Sequence, residues 1–233
     1  FAQTFYGISG GGSTGGAITL GNGVLTLSPT TNSTFAGIIS GTGSIIKAGT
    51  ASLTLSGANT YSGGTTVSAG TLTAGVSTVG SITSGPFGTG AVTVSSGATL
   101  DVNGYSISNA LSLSGTGSSA NGALYNSSAS AGSATGAITL LADTTIKELG
   151  GLTLGSINGA FALTLNTLGS GVATFGGAVG NSTNLASLTT APSAGSAGIT
   201  ISGGSITTTG DLSLGNAITL GANTTLPSAN TIT

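Results

Sequence analysis

Cysteine, histidine, methionine, tryptophan and arginine are all missing from this chain, and each absence closes off some chemistry. Without Cys there is no disulfide and no thiolate nucleophile or metal ligand. Without His there is no imidazole base, which excludes Ser-His-Asp and Cys-His catalysis and the common zinc sites. Without Arg there is no bidentate fork for phosphate or carboxylate. Charge is nearly as scarce. Only 3% of residues are Asp, Glu, Lys or Arg, against about a quarter in ordinary domains. The net charge of −2 leaves no basic footprint, so nucleic acid is excluded as a partner. No apolar run approaches the ~20 residues of a membrane-spanning helix, and the chain reads as not membrane-spanning.

What is present is glycine, small hydroxyl residues and aliphatics. Disordered chains combine low hydrophobicity with high charge. This one reverses both, at 38% hydrophobic residues and a mean hydropathy of +0.47, so apolar side chains must be buried somewhere. Forty-four glycines argue against helix, where each costs about 1 kcal/mol relative to Ala. The aliphatics alternate instead. "SLTLS" puts Leu53 and Leu55 on one face and Thr54 on the other. Val92 and Val94, Leu111 and Leu113, Leu152 and Leu154, Ile199 and Ile201, Ile218 and Leu220 repeat the pattern. Period two is the strand signal, and Gly, Asn or Ser closes each short run as a turn.

The strands recur. "GAITLLADTTI" from Gly136 resembles "NAITLGANTTL" from Asn216, and "GAITLGN" from Gly16 joins the set. Ile18, Ile138 and Ile218 take the same place in the three segments. "LTLG" at Leu152 and "LSLG" at Leu212 form another such pair. Every offset is a multiple of about 20 residues, the length of one coil of a parallel β-solenoid. The expected fold is all-β, a right-handed parallel β-helix with about 20 residues in each coil. The 233 residues would form about 12 coils, a rod of roughly 55 Å at the strand spacing. All the inward aliphatics named above should share one core.

"GTGSIIKAGTASLTLSGANTYSGGTTVSAGTL" carries a further pattern: Gly41, Gly43, Ile45, Lys47, Gly49, Ala51, Leu53, Leu55, Gly57, Asn59, Tyr61, Gly63, Thr65, Val67, Gly70 and Leu72. This resembles the passenger-associated transport repeat of bacterial autotransporters. "GPFGTGAVTV" from Gly85 is similar to the segment that commonly follows it, and "LTLGSINGAFALTLNT" looks like repeats of large secreted adhesin-like proteins. The resemblance implies a right-handed β-helix exported to the cell surface. The membrane β-barrel of a complete autotransporter is not among these strands, and a shared β-helix does not carry an activity with it.

Residues 1–16 read as an aromatic segment (Phe1, Phe5, Tyr6) followed by a Gly-rich tether. Residues 17–233 read as the β-helix, with the repeat at 41–73. "FAQ" at the start fits the scar of a cleaved signal peptide, which would place the protein outside the cell or on its surface. Of the remaining ionisable groups, Asp143 and Glu148 are the nearest carboxylate pair, with Lys147 beside them. Paired carboxylates can cleave glycosides, but the favoured reading is a solvated turn. Asp101 reads as a corner residue, Lys47 as a snorkelling surface residue, and Tyr61 as a corner aromatic with its hydroxyl exposed. No Asp recurs as calcium β-rolls require. One Thr-x-Thr step, Thr71 and Thr73, is too little for an ice-binding array. Glycan acceptor patterns stand at Asn32, Asn126, Asn181 and Asn223.

No catalytic, cofactor or metal site emerges. The expected function is structural and non-enzymatic: an extracellular rod that assembles head to tail with itself, with Phe1, Phe5 and Tyr6 lying on a neighbouring copy. The alternative is an adhesin passenger fragment that binds a cell-surface or host ligand.

Overall fold

The computed structural model describes residues 2–11, 16–227 and 231–233; Phe1 and part of the Gly-rich tether lie outside them. The chain winds as a parallel β-solenoid of about ten coils, each of roughly 22 residues. Strand follows strand around three faces, and every named strand pairs in parallel with strands of neighbouring coils. Face 1 stacks Val24–Leu27, Ser44–Lys47, Thr65–Val67, Val92–Val94 and Leu111–Gly115. Face 2 stacks Ser33–Phe35, Leu53–Leu55, Gly70–Ala74, Ala98–Asp101 and Leu124–Asn126. Ile138–Glu148 is long enough to run from face 1 round the corner onto face 2, joining both into one sheet. Face 3 is built in its later coils from Ser106–Ile107, Gly132–Ala134, Leu152–Leu154, Ala173–Phe175, Ile199–Ile201 and Ile218–Leu220.

Alternation decides which side chains fill the tube. In a strand, neighbouring side chains point to opposite faces, so each Leu-Thr-Leu run sends its aliphatics inward. Stacked in register, they form columns. On face 1, Leu25, Ile45, Thr65, Val92, Leu111, Ile138 and Ile157 follow one another. On face 2 the column is Leu53, Leu72, Leu100, Leu124, Ile146 and Leu165. On face 3 it is Ala134, Leu154, Phe175 and Ile201. Apart from the polar Thr65, which is buried among them, these residues belong to one continuous hydrophobic cluster, as the alternation predicts. Leu220 departs from it at 57% exposed, with Ile218 only partly buried. No further strand stacks on Ile218–Leu220 among the described residues.

The repeat spacing needs correction. Ile138 lies on face 1 and Ile218 on face 3, whereas Ile18 pairs with Ile39 in a separate two-stranded ladder. Leu152 lies on face 3 and Leu212 on face 2. The similar segments are therefore local strand-and-corner units reused on different faces. One even step does carry Leu25 to Ile45 and Ile45 to Thr65. Elsewhere the step is uneven, short from Ile138 to Ile157 and long from Gly115 to Thr144, because some corners carry excursions.

The first strand, Ala2–Phe5, pairs with Val24–Leu27 of its own chain. The tail thus lies on its own solenoid, with Phe5 48% and Tyr6 73% exposed. Among the described residues no helix is long and apolar enough to cross a membrane.

Candidate functional site

The motif between Gly41 and Leu72 faces inward far more than outward. Ile45, Leu53, Leu55, Val67 and Leu72 are fully buried, as are the polar Lys47, Asn59 and Tyr61, with Thr65 close behind. Its glycines sit where coils touch. Gly49 takes φ +73°, and a Cβ there would press on Pro29 O at 2.7 Å; this left-handed backbone and close approach favour Gly.

Lys47 is not a surface residue. It occupies the inner column between Leu27 and Val67. Its ammonium donates to the carbonyls of Ala48, Gly49 and Ala69 at 3.0, 3.0 and 2.9 Å. Three acceptors at one corner make burial tolerable, and the amine ties two successive coils together. Burial still disfavours the charge and lowers the pKa from 10.5 to about 8. The sequence carried a signal for this position: Lys47 shares strand parity with Ile45.

Tyr61 also corrects its expectation, since its hydroxyl is enclosed. It lies 2.6 Å from Thr65 Oγ1, and Thr65 Oγ1 donates to Phe87 O at 3.1 Å. Thr has one proton to give, so Tyr61 donates to Thr65. Burial pushes the phenol well above its usual pKa. Asn59 completes the group, accepting from Ile39 N at 2.8 Å and donating to Pro86 O at 2.6 Å. Gly85 exchanges backbone hydrogen bonds with Asn59, and Phe87 is fully buried. Asn59, Tyr61 and Thr65 thus form a socket for the Gly85–Pro86–Phe87–Gly88 turn that follows the motif.

The carboxylates do not converge. Asp143 and Glu148 sit on one strand rather than in a solvated turn, and their odd separation points them to opposite sides. Asp143 is exposed and accepts from Ala162 N at 2.9 Å. Glu148 is fully buried; Oε2 accepts from Gly151 N at 2.5 Å and Oε1 has no partner. Burial raises its pKa, opposed by the Gly151 hydrogen bond. Asp101 is held at a corner by Asn103 N and by the backbone and hydroxyl of Ser127. Among the described residues no group of three or more His, Cys, Asp or Glu could hold a metal ion. Asn126 is buried with its amide bonded at both ends, which removes it as a glycan acceptor; Asn32, Asn181 and Asn223 are exposed.

Outside, hydroxyl groups form columns longer than the sequence spacing had indicated. On face 3 Ser106, Ser133, Thr153, Thr174, Thr200 and Thr219 are in register over six coils. On face 2 Thr145, Thr164, Thr189 and Ser213 are stacked, beside the row Tyr125, Lys147 and Asn166.

Comparison with known proteins agrees with this geometry. The family model described as passenger-associated-transport-repeat matches residues 45–74. Over 89 residues, 37% of this chain, the sequence is 45% identical to the adhesin BmaC autotransporter of Brucella suis biovar 1 (strain 1330). The matched stretch is 2% of that protein's length, so the chain spans a small part of such a relative. No solved structure matches the chain. The matched repeat, the similar adhesin segment and the parallel coils together show a β-helix that carries a passenger-associated-transport repeat and is similar to autotransporter passengers.

Proposed function

We propose that the chain is a non-enzymatic segment of an adhesin-type surface protein, a rod that presents its side faces to a ligand outside the cell. The observation that carries this reading is the 45% identity to an autotransporter adhesin. The chemistry is compatible with it. The motif is spent on holding coils together, the carboxylates are separated, and the outer faces are long rows of hydroxyl and amide groups. The test is adherence. Beads coated with the purified chain should attach to host-cell or neighbouring-cell surfaces, and beads coated with an unrelated β-solenoid should not. Equal attachment of both would remove the reading.

A second reading is self-assembly into a filament or surface layer. The strand Ala2–Phe5 is exposed along its whole length and is the outermost of its sheet. Exposed strand edges add further strands, and a head-to-tail contact of that kind does not close. Deleting residues 1–7 should then abolish polymers seen by electron microscopy at high concentration. A truncated chain that still polymerises removes this reading.

A further inference from the structure

Lys147 is the only outward-facing basic side chain, because Lys47 is enclosed in the core. It stands mid-row on face 2, with Tyr125 one coil before and Asn166 one coil after, in direct register. The neighbouring column places Thr145 and Thr164 on the same two coils. All five side chains are partly exposed. Successive members lie about 4.8 Å apart, the spacing of paired strands.

Among the described residues no ion pair engages Lys147. Glu148 follows it directly but points into the core. Asp143 sits at the strand's bend, bonded to Ala162 N. Asp101 continues the same row, in register with Tyr125 and two coils from Lys147, ~9.6 Å at the strand spacing, with its carboxylate engaged by Ser127 and Asn103. Lys147 is the one cation on this face, and its charge selects an anion at its own coil by charge complementarity. An ammonium is a compact point charge with three donors, able to pair with a single anionic group such as a carboxylate. The Tyr125 ring offers a stacking surface with a polar tip, and the Asn166 amide and Thr hydroxyls both donate and accept. Phosphate or nucleic acid would call for a cluster of cations, which this face lacks.

We propose that the Tyr125–Lys147–Asn166 row, flanked by Thr145 and Thr164, binds a carboxylate-bearing polysaccharide, with the acid group on Lys147 and sugar hydroxyls on the amide and threonines. This rests on the adhesin reading and names its ligand class.

The test uses the whole chain, with tetragalacturonate and its fully methyl-esterified form as probes. The wild-type chain should bind the free acid at least tenfold more tightly than the ester, and salt should weaken that binding. Lys147→Met should lose at least tenfold for the acid and leave the ester unchanged, Lys147→Arg should retain binding, and Tyr125→Ala should weaken both. Unchanged circular dichroism controls for folding of these outward variants. Equal binding of acid and ester, or acid binding indifferent to Lys147→Met, overturns the proposal. No acid binding by a chain whose coated beads still adhere to cells overturns it and leaves the adhesin reading standing. Acid binding through Lys147 with no cell adherence supports the site and counts against the adhesin reading.

Discussion

The hydroxyl of Tyr61 donates to Thr65 Oγ1 at 2.6 Å inside a fully enclosed site, and Thr65 Oγ1 in turn donates a hydrogen bond to Phe87 O at 3.1 Å. This relay joins the motif to the turn that follows it. Its members should be unequal under mutation. Tyr61→Phe removes one donor and leaves Thr65 bonded to Phe87, costing about 1 kcal/mol. Thr65→Val strands both the Tyr61 hydroxyl and the Phe87 carbonyl, costing about 1–3 kcal/mol or more. The double variant should cost less than the sum of the singles. Urea unfolding of all four chains checks this, and simple additivity would show that the relay is not coupled.

Lys47 gives a pH signature. Its folded pKa of about 8 lies below the usual 10.5, so over this interval the unfolded chain binds more protons than the folded one. Stability should therefore rise as pH increases from about 8 toward 10.5. Tyr61 has the opposite effect above its ordinary value near 10, because its phenol resists ionisation in the fold. The clean window is pH 8 to 9.5. There the urea midpoint should climb for the wild-type chain and stay flat for Lys47→Met. Lys47→Met should also be less stable at pH 9.5, since three corner carbonyls lose their donor.

Glu148 acts at the acid end. Its pKa is raised above the usual 4.5 by burial, so the folded chain holds its proton longer than the unfolded one. That contribution is fully present below the unfolded value and is lost as pH rises through the folded one. Glu148→Gln keeps an acceptor for Gly151 N and removes the ionisation. It should match the wild-type chain at pH 4 and exceed it at pH 7 in thermal midpoint. A variant less stable at pH 7 would mean that the buried carboxylate has a compensating partner.

Much of this fold was legible in the alternation alone. Leu53-Thr54-Leu55 and Val92-Thr93-Val94 announce which side is buried, and their register follows from stacking. The residues of the motif were legible, but not their roles. Lys47 read as a surface residue and Tyr61 as a corner aromatic with its hydroxyl exposed, because charge and hydroxyl usually seek water. Their partners are corner carbonyls and a threonine that meet them only after the coil closes. Coil length was legible around Leu25, Ile45 and Thr65, and obscured later by excursions. The Tyr125–Lys147–Asn166 row could not be read at all, since the step from Tyr125 to Lys147 is longer than the step from Lys147 to Asn166 and no fixed period links them.

The face 3 columns supply the last prediction. Thr174 and Phe175 are adjacent in one strand, yet one looks out and the other in. Phe175 is fully buried, stacked between Leu154 and Ile201. Thr174 stands between Thr153 and Thr200 on the outer surface. Truncating a buried Phe costs about 3–5 kcal/mol, through lost transfer energy and the cavity left behind. Phe175→Ala should fall in that range, because flanking coils held by backbone pairing cannot collapse into the gap. Thr174→Ala removes an exposed hydroxyl and a β-branched side chain, and should cost well under about 1 kcal/mol. Equilibrium unfolding of the two variants compares them directly. A larger loss from Thr174→Ala than from Phe175→Ala would mean that face 3 is shifted by one residue, which in a strand exchanges the inner and outer sets.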